Sequence, residues 1–363
     1  MDKIIVSLKE NSYPVIIGEN SLARIPELID KYKLNKNILV VIDKNVYSYH
    51  KKKIQLVLKN IKGKINYYNL KPGENSKSYQ ELNKIYSFLL KNNYGRDSLI
   101  ISIGGGVTGD LAAFAAATYM RGIQVVHVPT TLLAAVDSSI GGKTGINFEN
   151  KKNMIGSFYQ PKFVLTDTGF LKTLPKLEIT SGLGEIIKYA FLSDKDFFNF
   201  INKNFKDIFS LKNKVLLKSI IGSVKIKAVV VSQDEKESGL RKILNLGHTF
   251  AHAFETELKF AVKHGEAVTA GVICALLLSN KLGFLSEEKL NTYIKLPLKI
   301  ILPSKFTGLN KNNLYKIMQH DKKNRNGKIK FVLISEIGKL LLDVEAGKKE
   351  LFYTFSEMER RIS

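Results

Sequence analysis

The sequence predicts an α/β fold: an N-terminal parallel sheet covered by helices, followed by a helical second domain. Three observations carry this. Apolar, β-rich runs alternate with helical periodicity through the first half of the chain. Those runs are nearly continuous in apolar character, as strands buried on both faces are. From about Ser181 onward, strand signals give way to long amphipathic or apolar helices. At 363 residues the chain exceeds what one core comfortably serves, so two domains are expected, 1–180 and 181–363.

In order, "NILVVID" (37–43) and "KINYYNL" (64–70) read as strands, and "SYQELNKIYSFLLKN" (78–92) has the 3.6-residue period of a helix. "SLIISIGGG" (98–106) is a strand running into glycines; the Ala-rich "GDLAAFAAATYM" is a helix, and "IQVVHVPTT" and "FVLTD" are further strands. The boundary falls near "KTLPKLEITSGLGE", where Pro175, Gly182 and Gly184 punctuate the chain. Beyond it "LGEIIKYAFL" and "EAVTAGVICALLLSNKLG" read as helices.

Hydrophobic residues make up 44% and charged residues 25%, and no apolar run reaches the roughly 18 to 20 residues of a membrane span. The start, "MDKIIVSLKENSYPVII", has no secretory pattern, so the cytoplasm is expected. The single cysteine, Cys274, lies in an apolar helical run and reads as a buried inert thiol. A formal charge of +23 raises the question of nucleic-acid binding. The charge is mostly lysine, spread from end to end without an arginine-rich arm, which fits solvated faces better; no nucleic-acid or membrane partner is expected. A positive field would also steer a small acidic metabolite.

"SIGGGVTGD" sets Gly104, Gly106 and Gly109 in G-x-G-x-x-G spacing between a strand and a helix, where backbone amides can approach a pyrophosphate. The alternative is a tight turn. The motif also departs from the usual dinucleotide fingerprint, since several strands precede it and no acidic residue follows at about 20 positions. Ribose contacts would come from earlier loops, where Asp43, Glu74 and Lys77 each lie just past an expected strand.

Three of the six histidines, His248, His252 and His264, fall within seventeen positions. His248 and His252 share a helical face, as metal-ligand pairs do, and His264 opens the next helix. A catalytic zinc usually takes three protein ligands and keeps one open position. Glu185, an acid early in an apolar helix, is a candidate for the third, because burying it without a cation is costly. Each histidine alone is better read as an ordinary core or surface residue; only as a cluster beside Arg241 and Asn245 do they favour a metal site equally.

"GGGVTGDLAAFAAATYMRGI", "VPTTLLAAVDSSIGGKTGIN", "KNMIGSFYQP", "SGLGEIIKYA", "RKILNLGHTFAHAFE", "HGEAV" and "DKKNRNGKI" together resemble, in order and spacing, the 3-dehydroquinate synthases of the shikimate pathway. The resemblance spans about residue 40 to residue 335. It implies a Rossmann-like N-terminal domain, a helical C-terminal domain, a homodimer, bound NAD, and one zinc (or cobalt) ion in the interdomain cleft. By resemblance the metal ligands are Glu185, His248 and His264, with His252 a substrate contact instead. NAD is assigned to Asp43, Glu74, Lys77, Gly105, Gly106, Val107, Asp110, Thr130, Thr131, Lys143, Lys152, Phe170 and Thr173. Asp137, Lys143, Lys152, Asn153, Lys188, Lys227, Arg241, Asn245 and His252 line the substrate pocket. Arg121 reaches across the dimer, and Lys323, favoured over Lys322, closes the pocket.

The implied reaction is that of a lyase turning 3-deoxy-D-arabino-heptulosonate 7-phosphate into 3-dehydroquinate and phosphate. Lys143, Asn153, Asn245 and Lys323 would suit the phosphate, and Arg241 with Lys227 the carboxylate. The rivals are another sugar-phosphate cyclase, whose substrate lacks the carboxylate, and a metal-dependent polyol dehydrogenase of similar plan.

Overall fold

The computed structural model describes residues 1–149, 151–320 and 329–363. It forms two compact units, Met1–Pro175 with Lys227–Glu235, and Lys176–Ile226 with Lys236–Ser363.

The first unit runs β1 (Asp2–Val6), β2 (Tyr13–Gly18), α1 (Ile25–Lys31), β3 (Asn37–Asp43), α2 (Lys44–Leu58), β4 (Lys64–Leu70), α3 (Tyr79–Lys91), β5 (Ser98–Gly104), α4 (Gly106–Thr118), β6 (Gln124–Pro129), β7 (Lys143–Phe148), β8 (Lys151–Phe158) and β9 (Val164–Asp167). Seven strands form one sheet in the order β1-β2-β9-β6-β5-β3-β4, parallel except for the β1–β2 hairpin. Both faces are buried. Ile38, Val40 and Ile42 of β3 pack with α1 and α2 residues such as Ile29 and Ile54, while Leu39 and Val41 pack with α3 and α4 residues such as Ile85, Leu89 and Leu111. That is why the strand "NILVVID" does not alternate in polarity.

Polar groups set the ends of these elements. Asp43 caps α2 by accepting from the Asn45 and Val46 amides, and Ser78 caps α3 through the Glu81 amide. Asp167, fully buried at the end of β9, accepts from the amides of Asn20, Leu22 and Gly169 and from Lys53 Nζ at 2.8–3.2 Å. In this unit two hairpins lie outside the sequence reading: β1–β2 on the sheet edge, and the separate two-stranded β7–β8.

The second unit holds α5 (Lys176–Leu192), α6 (Lys195–Lys203), α7 (Phe205–Phe209), most of α8 (Asn213–Gln233), α9 (His248–Glu257), α10 (His264–Lys281), α11 (Glu287–Tyr293), α12 (Lys311–Gln319) and α13 (Lys348–Ile362). It is helical, with one addition: an antiparallel hairpin of β10 (Lys330–Glu336) and β11 (Lys339–Glu345). α10 is the central element, buried without a break from Gly265 to Ser279, as a helix apolar all round must be. α5, α9, α13 and β10 pack around it. Two crossings are unusually close. A Cβ on Gly184 of α5 would stand 2.2 Å from the Gly265 carbonyl oxygen, and one on Gly271 of α10 would stand 2.1 Å from that of Gly247. Only glycine permits backbones to touch so closely.

Candidate functional site

The glycine crossings determine where three side chains meet. Gly184 precedes Glu185, Gly265 follows His264, and Gly247, in the left-handed conformation at φ 78°, precedes His248 at the start of α9. One ligand atom from each of Glu185, His248 and His264 lies within 4.8 Å of the others. Glu185 Oε1 is 3.2 Å from His264 Nε2 and 3.6 Å from His248 Nε2. Glu185 is fully buried, and Lys188, one turn on and also buried, pairs with its Oε2 while lying over the Tyr189 ring. Burial pulls the His264 imidazolium down, but hydrogen bonds to Glu185 and Glu255 outweigh it and push the group up to about 10. A compact set of one carboxylate and two imidazoles has the donor chemistry of a three-ligand catalytic metal site.

His252 lies outside this cluster. It is one turn along α9, its ring 5.8 Å from that of His248, so the pairing suggested by helical spacing alone is replaced by a triad drawn from three helices. Glu255, which the sequence reading passed over, sits 3.5 Å from His264 Nδ1 and is buried, in the position of an outer partner that orients a ligand imidazole. Its spacing of seven from His248 on one helix face was the available signal. Arg241 is almost wholly buried in the short 3-10 turn Leu240–Asn245, and Asn245 Nδ2 donates to Glu237 Oε1 at 2.7 Å. Glu237 was likewise missed.

In the first unit, β5 ends in Gly104 and α4 starts at Gly106, with Gly105 at the cap position and no side chain capping the helix. The turn leaves no room for a side chain at its first two glycines. A Cβ on Gly104 would meet Thr108 at 2.5 Å, and one on Gly105 would meet Thr131 at 2.9 Å. Thr130 Oγ1 and Ser138 Oγ are buried beside it without a hydrogen-bond partner among the described residues. Below the turn a small cavity is lined by Ser102, Gly105, Gly109, His127, Ser138 and Ser139. His127, on β6, is held by Ser102 Oγ at 2.7 Å from Nδ1, and burial lowers it to about 4.

The remaining expected cofactor residues divide. Val107 and Thr131 are half-buried at the turn, and Asp43 caps α2 nearby in the sheet. Thr173 Oγ1 lies 2.9 Å from His50 Nε2. Phe170 is packed into the apolar core against His50, so its side chain is committed to packing. Lys77 is buried and its Nζ contacts both Asp110 Oδ2 and Asn153 Oδ1. Burial raises the Asp110 carboxyl above its ordinary value despite the adjacent Lys77 ammonium.

The expected substrate residues of this unit lie on or beside β7–β8. Asp137 sits in a π-helical turn, Ala134–Ser138, a geometry that recurs at functional sites, and both its carbonyl and Oδ1 accept from Lys227 Nζ at 2.8 Å. Lys143 opens β7; Lys152 and Asn153 lie on β8, with Asn153 at a left-handed φ of 55°. Arg121 is exposed, also left-handed at φ 64°. Lys323 and its neighbour Lys322 lie outside the described residues.

Comparison with known proteins also divides the chain in two, close to the boundary between α5 and the strands before it. The 3-dehydroquinate synthase N-terminal family model matches residues 67–181 and the C-terminal model residues 182–324. A 3-dehydroquinate synthase of Pelagibacter ubique is 43% identical over 361 residues, covering 96% of each chain. One from Ruminiclostridium cellulolyticum is 40% identical over 335 residues, covering 92% of this chain and 93% of its own. Among solved structures, 2-epi-5-epi-valiolone synthase of Streptomyces hygroscopicus with NAD+ and Zn2+ bound is 25% identical with a TM-score of 0.87, covering 98% of this chain and 99% of its own. A 2-deoxy-scyllo-inosose synthase complexed with carbaglucose-6-phosphate, NAD+ and Co2+ is 24% identical with a TM-score of 0.86 over the same shares.

Proposed function

Because the chain belongs to the 3-dehydroquinate synthase family, we propose that it converts 3-deoxy-D-arabino-heptulosonate 7-phosphate into 3-dehydroquinate and phosphate. The carrying observation is the pairing, in the second unit, of the Glu185–His248–His264 triad with a buried Arg241 seven residues before His248. A metal site is common to several cyclases, but a buried guanidinium with bidentate geometry suits the carboxylate that distinguishes this substrate.

The residues present fit both resident groups. The triad offers one carboxylate oxygen and two imidazole nitrogens to a divalent ion, zinc or cobalt, and Lys188 and Glu255 orient its members. The uncapped start of α4, the closed glycine turn and the unpartnered Thr130 hydroxyl fit the pyrophosphate of NAD. When bound, the metal supplies Lewis acidity and the dinucleotide a reversible hydride acceptor, so that no net redox change results.

The chain's own residues then bind and orient. Asp43 and Glu74 accept from ribose hydroxyls, and Gly105 and Gly106 let main-chain amides reach the pyrophosphate. Lys143, Asn153 and Asn245 offer cationic and amide donors to the phosphate, Lys152 lines the substrate pocket, and His252 contacts the substrate beside the triad. Lys227 brings a second charge, shared with Asp137. The dinucleotide is thereby assigned to the first unit, and the metal and the buried Arg241 to the second.

A homodimer is part of this reading. Met120, Phe148, Met154, Ile155 and Phe158 are all exposed on and around β7–β8, an apolar surface that a second copy would cover, with Arg121 beside it. Among the described residues no helix is long and apolar enough to cross a membrane. A cytoplasmic location is part of this reading and rests on the biosynthetic family to which the chain belongs. Phosphate release from the heptulosonate phosphate at catalytic NAD tests the whole reading. Turnover of sedoheptulose 7-phosphate instead, or steady accumulation of NADH, would assign the chain to a different cyclase or to a polyol dehydrogenase.

A further inference from the structure

We propose that Asn147 is a positioning residue that fixes the dinucleotide-side carboxylate Glu74 and the substrate-side amide Asn153 as one rigid group; this rests on the function proposed above. The β7–β8 ladder is regular from Lys143↔Phe158 to Ile146↔Ile155, then shifts, resuming at Phe148↔Lys151. Asn147 therefore stands alone opposite three residues, Lys152, Asn153 and Met154. Such a bulge re-aims side chains and is common beside active sites. Here it holds two expected substrate residues.

Asn147 supplies what the broken ladder lacks. Its main-chain amide donates to the Lys77 carbonyl at 2.8 Å, its Oδ1 accepts from the Asn153 amide at 3.0 Å, and its Nδ2 donates to Glu74 Oε1 at 2.8 Å. The amide orientation is forced, because an N–H requires an acceptor and a carboxylate requires a donor. Asn153, held at φ 55°, in turn presents Oδ1 to Lys77 Nζ. Glu74, Lys77 and Asn153 are each expected ligand contacts, and Asn147, which is expected to touch neither ligand, joins all three. The isosteric change Asn147→Asp would keep the acceptor for the Asn153 amide but set a second carboxylate against Glu74.

The test is NAD binding by calorimetric titration of the purified full chain, with thermal unfolding measured alongside. Asn147→Asp should weaken NAD by about tenfold or more, since a hydrogen bond to a charged group becomes a repulsion. Combining it with Glu74→Gln restores one donor facing one acceptor, so the double variant should bind NAD more tightly than the two single losses multiplied predict. Asn147→Ala, which adds no charge, should weaken NAD several-fold and lower kcat as well, because Asn153 is released too. Wild-type NAD affinity in Asn147→Asp or Asn147→Ala, or strictly multiplicative losses in the double variant, would overturn the inference while leaving the function intact. A wild type that binds no NAD would overturn both.

Discussion

Replacing Gly184 with Ala should disable the metal triad without touching any of its members. The new Cβ would lie 2.2 Å from the Gly265 carbonyl oxygen, whereas carbon–oxygen contacts settle near roughly 3.3 Å. About 1 Å must be found by separating α5 from α10, since both partners at the contact are backbone. Glu185 is the next residue on α5 and His264 the residue before Gly265, so the opening acts on their 3.2 Å approach. Ligand distances in a metal site tolerate only about 0.2 Å. We expect an overpacking cost of about 1–3 kcal/mol in stability and a loss of about 10- to 100-fold in metal affinity, the scale on which disturbed outer support acts. Competition against a chromophoric chelator reads the affinity, and denaturant unfolding reads the stability. Leu290→Ala, a cavity at a buried position of the mostly exposed α11 outside both crossings, should cost about 2–5 kcal/mol yet leave metal affinity unchanged. Undiminished metal affinity in Gly184→Ala would refute the reasoning, and so would an equal loss of affinity in both variants.

Arg241→Ala should lower kcat/KM for the heptulosonate phosphate by about 30-fold to several thousandfold, corresponding to about 2–5 kcal/mol for an anion left without its partner. Metal and NAD contents should stay at wild-type levels, and normal turnover by this variant would show that the pocket reads no carboxylate. His127 is neutral in the fold, its value lowered to about 4 by burial against an ordinary 6.5. Below the unfolded value the unfolded chain binds the extra proton, so this contribution is intact above pH 6.5 and drains away as pH falls toward 4, by about 3 kcal/mol. His127→Gln should flatten that acid limb in denaturant titrations from pH 7 to 4; an unchanged slope would locate the acid sensitivity elsewhere.

The sequence made legible what is local. β3 and β5 fall where continuous apolar runs end in turn residues, and the glycine turn before α4 was readable from spacing. The metal triad was not readable from spacing alone. Helical periodicity pairs His248 with His252, whereas the actual neighbours, Glu185 and His264, come from helices brought together by glycine contacts that no periodicity encodes. Only the resemblance supplied that set. β1–β2 and β7–β8 escaped because short hairpins give weak period-two signals, and Asn147 escaped because its role depends on a register shift visible only in three dimensions.

The partners of β2 also set the order in which the chain can assemble. Val15 pairs with Val164, and the Ser7 amide donates to Ser232 Oγ, both within the first unit. The N-terminal hairpin therefore leaves the ribosome long before its neighbours exist. At roughly 5–20 residues per second, the strand that receives it follows about 8–30 seconds later, and the helical segment that completes the unit later still. During that interval an apolar edge strand is exposed on a nascent chain. The first unit cannot finish folding until Lys176–Ile226 of the second has also been made, because Lys227–Glu235 lies beyond that segment.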